Sequence, residues 1–142
     1  SGEMADVNEC VKMTKLGISC LAAGIGNIHG IYPANWKGLN FELLKKIHAK
    51  TNNIPLVLHG GSGIPEAQVK KAIKLGVCKF NVGTELMIAF SAELNKYFKK
   101  EYDKIKKNYD PRKYSATALD AVTKKVIEKI KMCGAFNKGG KK

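Results

Sequence analysis

Three short strand-like runs, at residues 18–24, 54–58 and 77–82, constrain this chain most. A stretch with apolar residues at helical spacing follows the second and third runs, and a Gly- and Pro-containing loop separates the first from its helix. Residues 54–58 form a continuous apolar run, the mark of a strand covered on both faces. Strands separated by helices imply parallel neighbours and an α/β fold. Each strand–helix unit takes about 25 to 30 residues, the period of a (β/α)₈ barrel. A closed barrel needs eight strands and about 250 residues, whereas this chain has 142. The pattern therefore reads as a small open sheet or as the C-terminal part of a barrel.

The remaining elements follow from periodicity and breakers. A helix is predicted over 5–16, with Val7, Cys10, Val11 and Thr14 on one face and Gly17 as its stop. Residues 25–38 read as loop. A second helix is predicted over 41–50 through Leu43, Leu44 and Ile47, and Asn52 and Asn53 break it. Residues 60–63 form a glycine-rich turn, and Pro65 suits a first helical position. Val69, Ala72 and Ile73 face inward on the helix that ends at Gly76. Gly83 and Thr84 open a longer helix carrying Leu86, Phe90, Leu94 and Tyr97 or Phe98. Asp110 and Pro111 interrupt the pattern, and Leu119, Val122, Val126 and Ile130 mark a last helix. The tail from Gly134 reads as frayed.

Composition narrows the function classes. The chain holds 25 Lys and Arg against 12 Asp and Glu, a formal net charge of +13. Such an excess suits solvated surface, small anions such as sugar phosphates, or nucleic acid. Basic residues are densest over 96–113, where Glu101, Asp103 and Asp110 interrupt them, as on a solvated helix face. Nucleic acid ranks last, because Arg112 is the only arginine and aromatic clusters for base stacking are missing. The apolar runs fall far short of the ~20 residues of a membrane helix. The polar start of the chain gives no signal-peptide pattern. The four cysteines, Cys10, Cys20, Cys78 and Cys133, are far apart with no CxxC, which argues for a reduced cytoplasmic chain and against a disulfide scaffold.

Candidate site residues gather at strand ends. His29 follows the first predicted strand, His59 ends the second, and Asn81 and Thr84 lie at the end of the third. Parallel strands put these ends on one face, where α/β folds carry their active sites. Each of the two histidines precedes a glycine, His29-Gly30 and His59-Gly60. Glycine lets backbone N–H groups come close to a ligand. Both Gly60-Gly61-Ser62-Gly63 and Asn81-Val82-Gly83-Thr84 are predicted to open helices, which suits an anion beside a metal. A histidine near a strand end is more often a hydrogen-bonded structural residue than a ligand. The matched placement of His29 and His59 brings the metal reading level with that one. His48, among lysines in mid-helix, reads as exposed surface.

Four segments then occur in a distinctive order: Gly24-Ile25-Gly26-Asn27-Ile28-His29-Gly30, Pro55-Leu56-Val57-Leu58-His59-Gly60-Gly61-Ser62-Gly63, Asn81-Val82-Gly83-Thr84-Glu85-Leu86 and Asp110-Pro111-Arg112-Lys113-Tyr114. Up to about Gly134, the chain resembles the C-terminal half of class II, zinc-dependent fructose-bisphosphate and tagatose-bisphosphate aldolases. Residues 81–90 lean toward the tagatose-type branch. Gly83 stands where fructose-type members often carry aspartate, Pro33 where many carry a phosphate-binding lysine, and Met87 where a basic residue is common.

The resemblance implies a partial (β/α)₈ TIM barrel over 1–142, with this chain supplying about strands six to eight. Residues 1–17 would then be the helix before strand six, 18–133 three strand–helix units plus a final helix, and 134–142 a flexible basic tail. The resemblance makes His29 and His59 two of three ligands to Zn²⁺ or another divalent transition metal. It gives Gly30, Gly60, Ser62, Asn81, Gly83 and Thr84 to the dihydroxyacetone phosphate half of the substrate and its phosphate. Arg112 would reach a neighbouring subunit's site and bind the distal phosphate. The implied reaction is reversible cleavage of a ketose 1,6-bisphosphate to dihydroxyacetone phosphate and glyceraldehyde 3-phosphate through a zinc-stabilised enediolate.

In the family the third zinc histidine and the aspartate acid/base belong to an earlier strand. No histidine precedes His29, and Asp6, Asp103, Asp110 and Asp120 fall in helices or the turn before one. No catalytic residue is therefore assigned to this chain, and alone it is expected to be inactive. The expected partners are a phosphorylated sugar and either further copies or an N-terminal half, with no nucleic acid and no membrane. The alternative is a non-catalytic partial-barrel module that self-associates through its open sheet edges.

Overall fold

The computed structural model describes residues 2–101 and 110–140. Most of the basic cluster's centre, Asp103 included, lies outside the described residues, as do residues 141–142 of the tail. The chain forms two compact units, Ser1–Gly83 and Thr84–Lys142.

The first unit is α/β. Its order is α1 (Val7–Thr14), β1 (Leu21–Ala22), α2 (Phe41–Lys50), β2 (Leu56–Leu58), α3 (Glu66–Lys74) and β3 (Val77–Phe80). The three strands are parallel in the order β1-β2-β3, with Leu21 opposite Leu56 and Leu56 opposite Val77. Central β2 is buried at every position, as its unbroken apolar run predicts. Ile25, Ile47, Leu56, Leu58 and Val69 are the largest fully buried side chains. Burying each contributes about 1.5–3 kcal/mol before the entropy of ordering is subtracted.

Local chemistry fixes the helix ends. The Asp6 carboxylate accepts the backbone N–H groups of Asn8 and Glu9 and caps α1. Asn40 caps α2 by accepting the Leu43 N–H at 2.9 Å. After α2, Asn52 and Asn53 take left-handed backbone angles, φ 54° and 57°, which short polar side chains tolerate. Pro65 sits one place earlier than its predicted role. It is the N-cap of α3, because its ψ of 139° is extended and the helix starts at Glu66.

Two expectations need correction in this unit. The predicted strand over 18–24 shrinks to Leu21–Ala22. Past it, the backbone is claimed by the N-terminal segment: Ala5 N–H donates to Gly24 O at 2.8 Å, and Met4 bridges Ile25 in antiparallel fashion. His48 is half-buried rather than exposed. Its imidazole covers Gly76, where an added Cβ would lie 2.5 Å from Nε2 and where φ is +107°. Only glycine fits that turn between α3 and β3.

The second unit is a pair of packed helices, α4 (Thr84–Glu101) and α5 (Pro111–Met132). Asp110 caps α5 and Pro111 occupies its first turn. Near one end, the Phe98 and Tyr114 rings lie 5.1 Å apart. Further along, Lys129 pairs with Glu85 at 2.6 Å, with side chains only 12% and 22% exposed. The covered face of α5 includes Val122 and Val126 of the apolar stripe, both half-buried. It runs through Ala118 and Met132, while Leu119 is 56% and Ile130 38% exposed. Ala118 is fully buried, so the covered face is centred about one residue before Leu119. Among the described residues, no helix is long and apolar enough to cross a membrane.

Candidate functional site

His59 directly follows β2, and Asn81 directly follows β3. Their loops stay in register beyond the strands: Asn81 N–H donates to Leu58 O at 2.9 Å, and Gly61 N–H to Asn81 O at 2.8 Å. His29 lies in the long loop after β1, not at a strand end. The loop curls back and brings the His29 and His59 ring centroids to 5.7 Å, tilted by 59°. His29 is exposed and His59 half-buried. Both line an open cavity of about 580 Å³ with Gly2, Glu3, Ala23 and Val57.

Cross-loop hydrogen bonds hold this arrangement. Asn27 accepts the Ile25 N–H at 2.9 Å and donates from Nδ2 to His59 O at 3.1 Å. The Tyr32 hydroxyl accepts the Ile28 N–H at 3.1 Å and donates to Gly60 O at 2.8 Å. Burial pushes the Tyr32 hydroxyl above its ordinary pKa, so it keeps the proton that it donates. Trp36 donates to Gly26 O at 2.7 Å and packs edge-on against Tyr32, centroids 4.3 Å apart. Sequence reasoning assigned no role to Asn27, Tyr32 or Trp36. Two large aromatics three and seven residues after His29, inside a loop rich in Gly and Pro, were the available signal.

Lys79 was missed as well. Its Nζ donates to Asn81 Oδ1 at 2.7 Å. That bond turns the amide NH₂ toward His59, 3.2 Å from Nδ1 and 3.3 Å from Nε2. Nearly equidistant from the two ring nitrogens, the NH₂ lies against the ring rather than along one nitrogen's in-plane lone pair. The signal for Lys79 was its spacing: residues 79 and 81 share one face of a strand.

The glycine turns divide into two kinds. A Cβ on Gly60, at φ +64°, would fall 1.9 Å from Ile28 O, and one on Gly61 would fall 2.5 Å from the Phe80 ring. Those glycines let neighbouring loops touch each other. Beside Gly30 and Gly83 an added Cβ would meet nothing within 4 Å. Ser62 is buried at 5% exposure. The expectation that both turns open helices holds only for Thr84, the first residue of α4. The turn at residues 60–63 stops short of α3, which begins at Glu66, so the helix dipole acts on it weakly.

Thr84 and Arg112 belong to the second unit. Arg112 lies in the first turn of α5, and its guanidinium forks onto Asp110, Nη2 to Oδ2 at 2.7 Å and Nε to Oδ1 at 3.0 Å. This fork, helped by the Arg112 backbone N–H, holds the Asp110 carboxyl below its ordinary range and raises the guanidinium further.

The His29 and His59 spacing fits a shared cation. Two imidazoles bound to one ion at about 2.0–2.1 Å place their centroids roughly 5–6 Å apart. Neutral imidazoles are ordinary ligands for divalent zinc and its neighbours. Among the described residues, no group of three His, Cys, Asp or Glu could hold a metal.

Comparison with known proteins gives a consistent result. Residues 1–138 match the family model described as fructose-bisphosphate aldolase class-II. The chain is 55% identical over 139 residues to the fructose-bisphosphate aldolase of Mycoplasma genitalium, and 52% identical over 139 residues to that of Mycoplasma pneumoniae. Each match covers 96% of this chain and 48% of the relative. The chain thus spans about half the length of the curated relatives it matches. The crystal structure of the YdjI aldolase from Escherichia coli K12 is similar at a TM-score of 0.79 and 32% identity, over 96% of this chain and 48% of that one.

Proposed function

The chain belongs to the class II fructose-bisphosphate aldolase family, and from that premise we propose that it supplies the C-terminal half of a cytoplasmic aldolase's active site. In this reading β1, β2 and β3 are strands six to eight of a (β/α)₈ barrel. The whole enzyme cleaves a ketose 1,6-bisphosphate reversibly to dihydroxyacetone phosphate and glyceraldehyde 3-phosphate. The juxtaposition of His29 and His59 at 5.7 Å carries the proposal.

His29 and His59 would hold Zn²⁺ or a related divalent cation through neutral ring nitrogens. A cation bound there supplies Lewis-acid stabilisation of the negative charge that develops on the dihydroxyacetone phosphate half. The chain's own residues bind and orient. Gly30, Gly60, Ser62, Gly83 and Thr84 take the adjacent phosphate through backbone N–H and hydroxyl groups. Asn81, its amide aimed by Lys79, fixes the substrate oxygens near His59. Arg112 takes the distal phosphate of a neighbouring subunit's substrate, where an always-charged fork suits an anion. Proton transfer needs a positioned acid/base, and this reading draws it, with the third metal ligand, from the other half of the barrel.

The test is an assay of triose phosphate release with zinc added. The 142-residue chain alone is expected to be silent. Co-expressed with the N-terminal half of the Mycoplasma genitalium relative, it should gain turnover that His59→Ala abolishes. Turnover by the 142-residue chain alone, lost in His59→Ala, overturns the half-site reading. No turnover in either form overturns the aldolase assignment.

A further inference from the structure

We infer that Tyr32 is a positioning residue whose hydroxyl, with the Asn27 amide, locks the two histidine-bearing loops together and presets the spacing of the His29 and His59 rings. The inference rests on the proposed metal role of those two histidines. His29 lies in a long loop with β1 seven residues behind it, so no strand fixes its position. Two side chains bridge from this loop to the one carrying His59. Tyr32 Oη joins Ile28 N, immediately before His29, to Gly60 O, immediately after His59. Asn27 Nδ2 reaches the His59 carbonyl itself.

The two loops also interlock at Gly60, whose Cβ position is filled by the Ile28 carbonyl. One hydroxyl therefore satisfies a donor beside one histidine and an acceptor beside the other, across a contact with no room for slack. Trp36 buttresses the Tyr32 ring from the side but, among the described residues, its indole N–H bonds within its own loop, to Gly26 O. The two aromatics thus have separable roles: Trp36 orders the loop, and Tyr32 couples it to His59. Outer partners that orient metal ligands typically matter by about 10–100-fold in affinity.

The experiment titrates zinc by calorimetry into the 142-residue chain co-expressed with the N-terminal half of the Mycoplasma genitalium relative, and records the cobalt(II) ligand-field spectrum. It compares wild type, Tyr32→Phe, Trp36→Phe and His59→Ala. Tyr32→Phe keeps the ring and removes only the hydroxyl. It should weaken zinc about tenfold or more, shift the cobalt bands, and expose the Ile28 amide to faster hydrogen exchange. Trp36→Phe should lower thermal stability while keeping wild-type affinity and spectrum. Equal affinity loss in both variants overturns the inference, since loop order alone would then account for it. Wild-type affinity in Tyr32→Phe, with binding still lost in His59→Ala, overturns the inference and leaves the metal reading standing. Zinc binding that is absent in wild type or survives His59→Ala overturns the metal reading and the positioning role with it.

Discussion

The side-chain amide of Asn81 stands 3.2 and 3.3 Å from the two ring nitrogens of His59, and the ammonium of Lys79 fixes which end of that amide faces the ring. The orientation is a consequence of charge. A cation can only donate, so it takes the amide oxygen and leaves the NH₂ for His59. Lys79→Met removes the donor, and the Asn81 NH₂ signals in an NMR spectrum should move and broaden. Lys79→Arg restores a cationic donor and should hold them. Lys79 is exposed, so either change should leave stability within about 0.5 kcal/mol. Unmoved signals in the Met variant would sink this account of the amide.

The glycines of the site should respond unequally to alanine. At Gly60 the new methyl would lie 1.9 Å from a backbone carbonyl oxygen, at φ +64°. The left-handed strain alone costs about 1–3 kcal/mol, and the overlap cannot be relieved by rotating a side chain. Gly60→Ala should therefore cost about 3 kcal/mol or more. Gly83 has open space and no left-handed angle, so Gly83→Ala should change stability by no more than about 0.5 kcal/mol. Urea midpoints of the two variants decide the matter, and equal shifts would reject the distinction.

The cysteines should separate by reactivity. Cys20 and Cys78 are exposed, whereas Cys10 is buried and Cys133 half-buried. Burial raises the thiol pKa of Cys10 and Cys133, with Asp6 and Glu9 adding to the rise at Cys10. The thiolate is the nucleophile, so these two are both covered and short of the reactive form. A disulfide exchange reagent at neutral pH should consume two thiols quickly and two slowly, and Cys20→Ser should remove one from the fast phase. Four equal rates would contradict the burial pattern.

What the sequence made legible was the skeleton. The runs at 54–58 and 77–82, the breakers Asn52 and Asn53 and the Asp110-Pro111 start signal all act within a few residues, and the structure places elements accordingly. Long-range facts were hidden. The first strand stops at Ala22 because residues 3–5 claim the backbone at 24–26, a pairing across about twenty residues that no local pattern records. His48 sits in a lysine-rich window yet covers Gly76 from 28 residues away. Leu119 and Ile130 repeat at helical spacing, but Ala118 occupies the covered face. Likewise Tyr32 and Asn27 look like ordinary loop residues until the fold places Gly60 and His59 beside them.

The start of α5 should resist acid more than an ordinary capped helix. Asp110 accepts the Arg112 guanidinium and the Arg112 backbone N–H, and both favour its charged form, so its folded pKa is depressed. A carboxyl depressed on folding contributes stability that is complete above its unfolded value, about 3.9, and is lost as pH falls through the lower folded value. Between those values the unfolded state binds more protons, so stability there rises with pH. The Asp110 carboxyl carbon, followed by NMR against pH, should titrate below about 3.9, and the amide shift of Arg112 should follow the same curve. Asp110→Asn keeps an oxygen that can cap the helix but carries no charge, so the Arg112 amide should no longer titrate. Because the Arg112 side chain is 89% exposed, added salt should move the Asp110 midpoint back toward the ordinary range. A midpoint at or above that range in low salt would show that the fork with Arg112 does not persist in solution.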